Sequence, residues 1–298
     1  MELDIVSVPY RYDARGEGLG AGPEALLRAG LGRRLATRGF EVGEPREANL
    51  LAEEIEAGRT AVNIGKLGAR AAALVADGYR AGRAVLVLGG DDTVAVGVVA
   101  GTQTGAGPGS VLGLVWLDAH GDFNTPETSY SGILAGMPVA VIAGLAGPLW
   151  REAAGLAAPL PTDRILLAGI RDLDEKEEAL LRATNVRIVG AGELCGDAFQ
   201  AALDRLANRC THLCVHVDLD LLDPRFVPSA STPSAKGPTV PEAAEALGRV
   251  LATGKVATLC LAGLNPGAGE RGRTSLASAM GLLEQALSRW TAVPAAVG

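Results

Sequence analysis

The sequence lacks several features that would place it in other protein classes. It has no excess of positive charge, because 27 lysines and arginines stand against 34 aspartates and glutamates and give a net charge of −7. A mildly acidic chain argues against nucleic acid or an anionic membrane as the main partner. The longest apolar runs, such as 133–146, contain glycine and proline and are too short to span a membrane. The four cysteines show no paired spacing of the zinc-binding or redox kind, which indicates reduced thiols.

The first residues also lack the pattern of a secretion signal. Glu2 and Asp4 interrupt the first apolar run, and no basic segment precedes it. We therefore expect a cytoplasmic protein.

Short apolar runs alternate with alanine-rich segments from one end of the chain to the other. The apolar runs predict strands at 4–8, 84–88, 111–117, 164–168, 187–189, 213–217 and 257–261. The alanine-rich segments predict helices at 23–29, 61–81, 93–102, 176–183, 201–208, 240–252 and 275–290. This alternation indicates an α/β fold with a mostly parallel sheet covered by helices on both faces. Because there is no internal repeat or disordered linker, we expect a single domain, 1–298.

Three acidic segments follow predicted strands, where open parallel sheets bind their ligands. Asp118, His120 and Asp122 alternate directly after the strand at 111–117, so in extended backbone their side chains share one face. Asp218 and Asp220 alternate in the same way after the strand at 213–217. These spacings are typical of metal ligands.

The third acidic segment is the turn Gly89-Gly90-Asp91-Asp92, between a predicted strand and a predicted helix. Either aspartate, considered alone, is typical of a helix N-cap. The other acidic residues likewise have an alternative interpretation as caps or turn residues at strand ends.

Taken together, the segments favour a metal centre, because convergent carboxylates without a cation would repel one another. Oxygen-rich ligation with one imidazole favours a hard or borderline ion such as Mn²⁺. Two such ions could share a bridging hydroxide and direct it at a planar carbon, which is metal-assisted hydrolysis. The predicted ligands are Asp92, Asp118, His120, Asp122, Asp218 and Asp220.

The three segments resemble the motifs of the arginase and agmatinase (ureohydrolase) family, GGDH, DAHxDxN and (S/H)xDxDxxDP. They stand here at 89–92, 118–124 and 216–224, and further matches at 20–23, 169–172 and 264–266 follow in family order. The resemblance implies a three-layer αβα fold with a mostly parallel eight-stranded sheet, two Mn²⁺ ions per chain and hydrolysis of a linear amidine. Related enzymes are often trimers or hexamers, so it allows a homo-oligomer as well as a monomer.

The chain departs from the family pattern at three positions. Asp92 replaces the histidine ligand of the first motif. Ala135 stands where arginases have the histidine that is their proposed proton carrier. Gly263 stands where the family has the glutamate that binds the guanidinium group.

Other positions match residues that contact substrate in arginases. Asn124 and Ser131 match residues that hold the α-carboxylate, and Asp174 matches one on the α-amino side. Thr232 matches a residue beside the scissile group and, with Asp122, is a candidate catalytic residue. Each could instead serve as a turn or cap residue.

We therefore expect a manganese-dependent hydrolase of a C–N bond in a small, arginine-like amino acid. A weakly basic guanidine, such as that of Nω-hydroxy-L-arginine, would have less need of the missing proton carrier and the missing carboxylate, and would give ornithine and hydroxyurea. Two alternatives stay open. One is a hydrolase of another amidine, such as arginine, agmatine, a guanidino acid or peptidyl arginine, and the other is a metal-binding pseudoenzyme.

Overall fold

The computed structural model describes residues 1–291, which contain eleven strands. The strands are β1 (Glu2–Val8), β2 (Tyr10–Arg11), β3 (Ala14–Arg15), β4 (Glu41–Val42), β5 (Arg46–Glu47), β6 (Ala84–Gly89), β7 (Leu112–Leu117), β8 (Ile165–Ile170), β9 (Arg187–Gly190), β10 (His212–Asp218) and β11 (Val256–Ala262).

Eight strands form the central sheet in the order β4-β1-β6-β11-β10-β7-β8-β9, and the two-residue strand β5 also pairs with β1. All pairs in this sheet are parallel. The mostly parallel eight-stranded sheet expected from the sequence is thus confirmed, with β5 as a short addition. Strands β2 and β3 form a separate antiparallel hairpin that follows β1.

The described part of the chain contains ten α-helices. They are α1 (Gly22–Arg28), α2 (Leu31–Ala36), α3 (Thr60–Arg80), α4 (Ala95–Ala106), α5 (Pro138–Ile142), α6 (Pro148–Ala153), α7 (Glu175–Arg182), α8 (Asp197–Arg209), α9 (Val240–Leu251) and α10 (Glu270–Ala286). Helices α2, α5 and α6 are absent from the sequence predictions, because each has only five or six residues and is too short to show a helical period.

The sheet lies between two apolar cores, which makes a three-layer αβα fold. Successive residues of each strand point to opposite faces, as Leu86 and Val87 of β6 do. Helices α1, α2, α8, α9 and α10 cover one face, and α3 to α7 cover the other. Because both faces are buried, the central strands are mostly apolar, which is why the sequence revealed them so clearly.

Helices α3 and α4 pack closely because small residues line their contact. A Cβ atom added at Gly101 of α4 would lie 2.6 Å from the carbonyl oxygen of Ala72 and 2.8 Å from Cβ of Val75. The absence of a side chain at Gly101 therefore sets the distance between the two helices.

Cys210, Cys214 and Cys260 are buried, Cys195 is exposed, and all four are free thiols. Within residues 1–291, no helix combines the length and the apolar character that a membrane crossing requires.

We expect Gly101→Ala to lower the free energy of unfolding. Overpacking costs about 1 to 3 kcal/mol, and a collision with a backbone oxygen lies at the upper end of that range. Alanine regains only about 1 kcal/mol through its helix propensity. Urea denaturation measures the net change.

The matched control is Gly281→Ala in α10, where an added Cβ atom would meet its nearest neighbours at an ordinary 3.6 to 3.7 Å. Here the propensity gain should dominate, and stability should rise by up to about 1 kcal/mol. Equal effects of the two substitutions would contradict the proposed role of the close helix contact.

Candidate functional site

The three acidic segments meet at the carboxyl edge of the sheet. Asp92 follows β6, Asp118 follows β7, and Asp218 is the last residue of β10. Because β6, β11, β10 and β7 are neighbours in the sheet, their ends place these side chains around one point. The sequence prediction that all of them lie at one edge is therefore consistent with the fold.

Two groups of side chains in this region could each hold a metal ion. Asp118, His120 and Asp220 form one group, and Asp92, Asp118 and Asp122 form the other. In each group the ligand atoms lie within 4.8 Å of one another. Asp118 belongs to both groups, so it would be a ligand common to both ions.

Asp118 is fully buried and is held by two hydrogen bonds. Its Oδ1 atom accepts the backbone N–H of His120 at 2.7 Å, and its Oδ2 atom accepts Nε1–H of Trp116 at 2.9 Å. Nδ1 of His120 lies 3.3 Å from both Asp118 Oδ1 and Asp220 Oδ2. The imidazole nitrogen and the two carboxylates therefore converge.

Asp218 and Asp220 are positioned by the turn after β10. Oδ1 of Asp218 accepts the backbone N–H of Asp220 at 2.9 Å. The hydroxyl of Thr232 donates to Oδ2 of Asp220 at 2.8 Å, which places this predicted residue beside the cluster. Arg171 holds the same turn by donating to the carbonyl oxygens of Asp220 and Ser234, both at 2.9 Å.

The cluster concentrates negative charge in a buried place. Burial and then the neighbouring carboxylates raise the pKa values of Asp92, Asp122 and Asp218 well above the ordinary aspartate value. For Asp118, burial and the carboxylate of Asp220 raise the pKa to about 6. Oδ2 of Asp122 and Oδ1 of Asp220 are buried without a hydrogen-bond partner. Such oxygens suit cations, so the donor set fits divalent metal ions.

The two aspartates of the glycine turn have different partners. Oδ1 of Asp91 accepts the backbone N–H of Thr93 at 3.1 Å, and its Oδ2 accepts the backbone N–H of Tyr12 at 2.9 Å. Asp91 is thus the N-cap that the sequence allowed, and Asp92 is the residue that joins the cluster.

Asp92 has a partner that the sequence analysis missed. Nε2 of His216 lies 2.9 Å from Oδ1 of Asp92, and the His216 ring stacks on Trp116 with ring centroids 3.8 Å apart. Burial lowers the pKa of His216 to about 3, so the ring is neutral and its Nε2–H can donate to the carboxylate. No local pattern signals this contact, because the two residues are 124 positions apart in the chain.

A pocket of about 420 Å³ opens above the cluster. Asp92, Asp122, Asp218, His120 and Thr232 line its floor, together with Asn124, Ser131 and Asp174, the three predicted substrate contacts. Nδ2 of Asn124 donates to Oδ2 of Asp174 at 3.1 Å. Ser131 is exposed at the pocket wall. Eight of the ten predicted site residues therefore line this pocket, and the other two, Asp118 and Asp220, belong to the cluster at its base.

Glu177 is a second residue that the sequence analysis missed. It lies on α7 one turn after Asp174, lines the same pocket, and is buried. Its Oε1 atom accepts the backbone N–H of Phe123 at 2.7 Å, and burial raises its pKa to about 7. The i, i+3 spacing from Asp174 was the available signal.

Ala135 and Gly263 lie beside the cluster and offer no functional group. Ala135 lines the pocket, and Gly263 has a positive φ of 84°. The backbone N–H of Gly263 donates to the carbonyl oxygen of Gly90 at 2.9 Å. A Cβ atom at position 263 would overlap Oδ1 of Asp218, so this arrangement of the cluster requires glycine there.

Comparisons with known proteins agree with this geometry. A family model described as "Arginase family" matches residues 1–287. The arginase of Neurospora crassa is 31% identical over 285 residues, which cover 89% of this chain and 78% of that protein. The arginase of Bacillus caldovelox is 30% identical over 295 residues, which cover 92% and 94%. A solved arginase structure from Bacillus subtilis superposes with a TM-score of 0.83 at 28% identity and covers 96% of this chain and 98% of that one. The chain therefore belongs to the arginase family and is a hydrolase of the amidinohydrolase type.

Proposed function

We propose that the protein is a manganese-dependent hydrolase of a C–N bond in the guanidino group of an arginine-like amino acid, with Nω-hydroxy-L-arginine as the substrate. The observation that carries this proposal is the combination of two adjoining ligand groups and a pocket whose lining contains no histidine other than the ligand His120. The products would be ornithine and hydroxyurea.

Two Mn²⁺ ions per chain suit the ligands. Asp118, His120 and Asp220 would hold one ion, and Asp92, Asp118 and Asp122 the other. Asp218, which lines the same pocket, would be a further ligand. Five carboxylates and one neutral imidazole leave one negative charge in excess of two divalent ions. When bound, the ions would activate water for hydrolysis and polarise the substrate.

The outer part of the pocket suits the amino-acid end of the substrate. The carboxylate of Asp174 supplies negative charge for an α-ammonium group, and the carboxyl group of Glu177 can accept a hydrogen bond from it. The amide of Asn124 and the hydroxyl of Ser131 can donate to an α-carboxylate. Asn124 is already oriented, because its Oδ1 accepts the hydroxyl of Thr128 at 2.8 Å.

The inner part of the pocket argues for a weakly basic guanidine. The chain has three histidines, and none is free to carry a proton there. His120 belongs to a ligand group, His216 is bound to Asp92, and His212 is buried at the start of β10. A substrate whose guanidine is largely neutral depends less on such a proton carrier and less on a carboxylate partner.

We expect the Mn²⁺-loaded protein to hydrolyse Nω-hydroxy-L-arginine with a kcat/KM at least about 100-fold higher than that for L-arginine. The reason is that a missing proton carrier costs about 10² to 10⁴ in rate when the leaving nitrogen must be protonated. Mass spectrometry of ornithine, urea and hydroxyurea measures both reactions.

Agmatine and N-acetylated arginine serve as controls for the amino-acid end, and both should react poorly. Faster hydrolysis of plain arginine would reject the N-hydroxylated substrate. Protein that retains no Mn²⁺ and cleaves no amidine would support the pseudoenzyme alternative instead.

A second prediction concerns the shared ligand. Asp118→Asn should abolish tight binding of both ions, because Asp118 belongs to both groups. Elemental analysis after gel filtration should fall from two Mn²⁺ per chain to well below one, and the rise in melting temperature on adding Mn²⁺ should disappear. Asp204→Asn, on the exposed face of α8, is the control and should retain both ions.

A third prediction concerns His216, which we infer to be a positioning residue for Asp92. His216→Phe keeps an aromatic ring against Trp116 but removes the donor to Asp92. Loss of such a supporting hydrogen bond typically weakens metal affinity about 10- to 100-fold. Titration with Mn²⁺ should therefore show one weakened site and one unchanged site.

His212→Phe, at the opposite end of β10, is the matched control. It should leave both metal affinities intact even if it lowers stability. Two unchanged sites in His216→Phe would contradict the positioning role.

A further inference from the structure

A second cavity adjoins the cluster on the side of Ala135 and Gly263. It has a volume of about 210 Å³ and shares Asp92, Asp218 and Thr232 with the larger pocket. The two cavities therefore meet at the proposed metal site. The space exists because the side chain of Ala135 ends at Cβ and position 263 has none.

The wall opposite the cluster comes from the β2–β3 hairpin. Arg11 and Tyr12 line the cavity there, with the guanidinium carbon of Arg11 5.9 Å from the centroid of the Tyr12 ring. Nothing in the sequence motifs points to either residue. The hairpin thus brings a cation and a phenol to a cavity whose other side is acidic.

Tyr12, which lines this cavity, has an unusual backbone conformation. Its φ is 55°, in the left-handed region that a bulky residue rarely adopts. The hydrogen bond from its N–H to Oδ2 of Asp91 at 2.9 Å ties the hairpin to the turn that carries Asp92. Strain of this kind persists where surrounding contacts enforce it, and it is common at ligand sites.

The chemistry of this wall differs from that expected for a guanidinium site. The guanidinium of Arg11 has only N–H donors and a permanent positive charge, so it attracts oxygen acceptors and repels cations. Asp91 does not offer a free carboxylate, because its two oxygens already accept hydrogen bonds from Tyr12 and Thr93.

We propose that this cavity binds an oxygen-bearing substituent on the terminal guanidino nitrogen of the substrate, with Arg11 and Tyr12 contacting that oxygen. The inference rests on the proposed function, since it assumes that the scissile carbon lies at the cluster. Water adds to this carbon, the bond from the carbon to the side-chain nitrogen breaks, and that nitrogen takes the proton. The oxygen on the terminal nitrogen then leaves as part of the hydroxyurea product.

The variants Arg11→Met and Tyr12→Phe test the assignment. Loss of a hydrogen bond from a charged group costs about tenfold or more in affinity. We expect Arg11→Met to raise KM for Nω-hydroxy-L-arginine by about that factor, with a smaller rise for Tyr12→Phe. KM for unsubstituted arginine should stay within about twofold or fall, because a repelling cation has been removed.

Arg15→Met is the matched control. Arg15 lies on the same hairpin and pairs with Glu47 at 2.6 Å, but it does not line the cavity. It should change neither KM. Equal changes for both substrates in Arg11→Met, or no change for either, would overturn the assignment.

Calorimetric titration of the Mn²⁺-loaded protein with the same two compounds separates the two proposals. Binding of the N-hydroxylated compound that depends on Arg11, without turnover, would reject the proposed reaction and keep the cavity assignment. Turnover of the N-hydroxylated compound with an unchanged KM in Arg11→Met and Tyr12→Phe would reject the cavity assignment and keep the proposed reaction. Failure to bind either compound would reject both.

Discussion

The repulsion among five buried carboxylates is the constraint on which the site depends. The parallel sheet brings the ends of β6, β10 and β7 together, so their aspartates cannot avoid one another. Burial raises the cost of each charge, as the elevated pKa values of Asp92, Asp122 and Asp218 indicate. Divalent cations relieve this cost, and the buried oxygens of Asp122 and Asp220 that lack hydrogen-bond partners are suitable ligands for them.

The residues beneath the cluster are organised by the pleat of the sheet. His216 and Trp116 are direct neighbours on β10 and β7 and point to the same face, so their rings stack. Trp116 donates to Asp118, and His216 contacts Asp92. The carboxylate of Asp92 is thus within hydrogen-bonding distance of the imidazole of His216. This pairing gives a structural reason why the chain can carry aspartate where the family motif has histidine.

The pocket is unequal at its two ends, and this asymmetry supports a substrate that is amino-acid-like but altered at its terminal nitrogen. The outer end carries Asn124, Asp174 and Glu177. Asn124 donates to Asp174, and Glu177 accepts the backbone N–H of Phe123. The inner end carries Ala135 and Gly263, and the tight contact of position 263 with Asp218 excludes any side chain there. The departures from the family pattern therefore involve the carboxylate cluster as well as the pocket wall.

Local patterns in the sequence were enough to specify the central strands, the long helices and the three acidic segments, because burial on both faces and strand alternation leave a direct signature in residue order. They were not enough for β4 and β5, which have two residues each, or for the contacts of His216 and Glu177. The two short strands depend on backbone pairing with β1, and the two contacts depend on groups that are far apart in the chain and meet only after packing. The different roles of Asp91 and Asp92 also depend on a distant contact. The backbone N–H of Tyr12 donates to Asp91, while Asp92 lines the pocket.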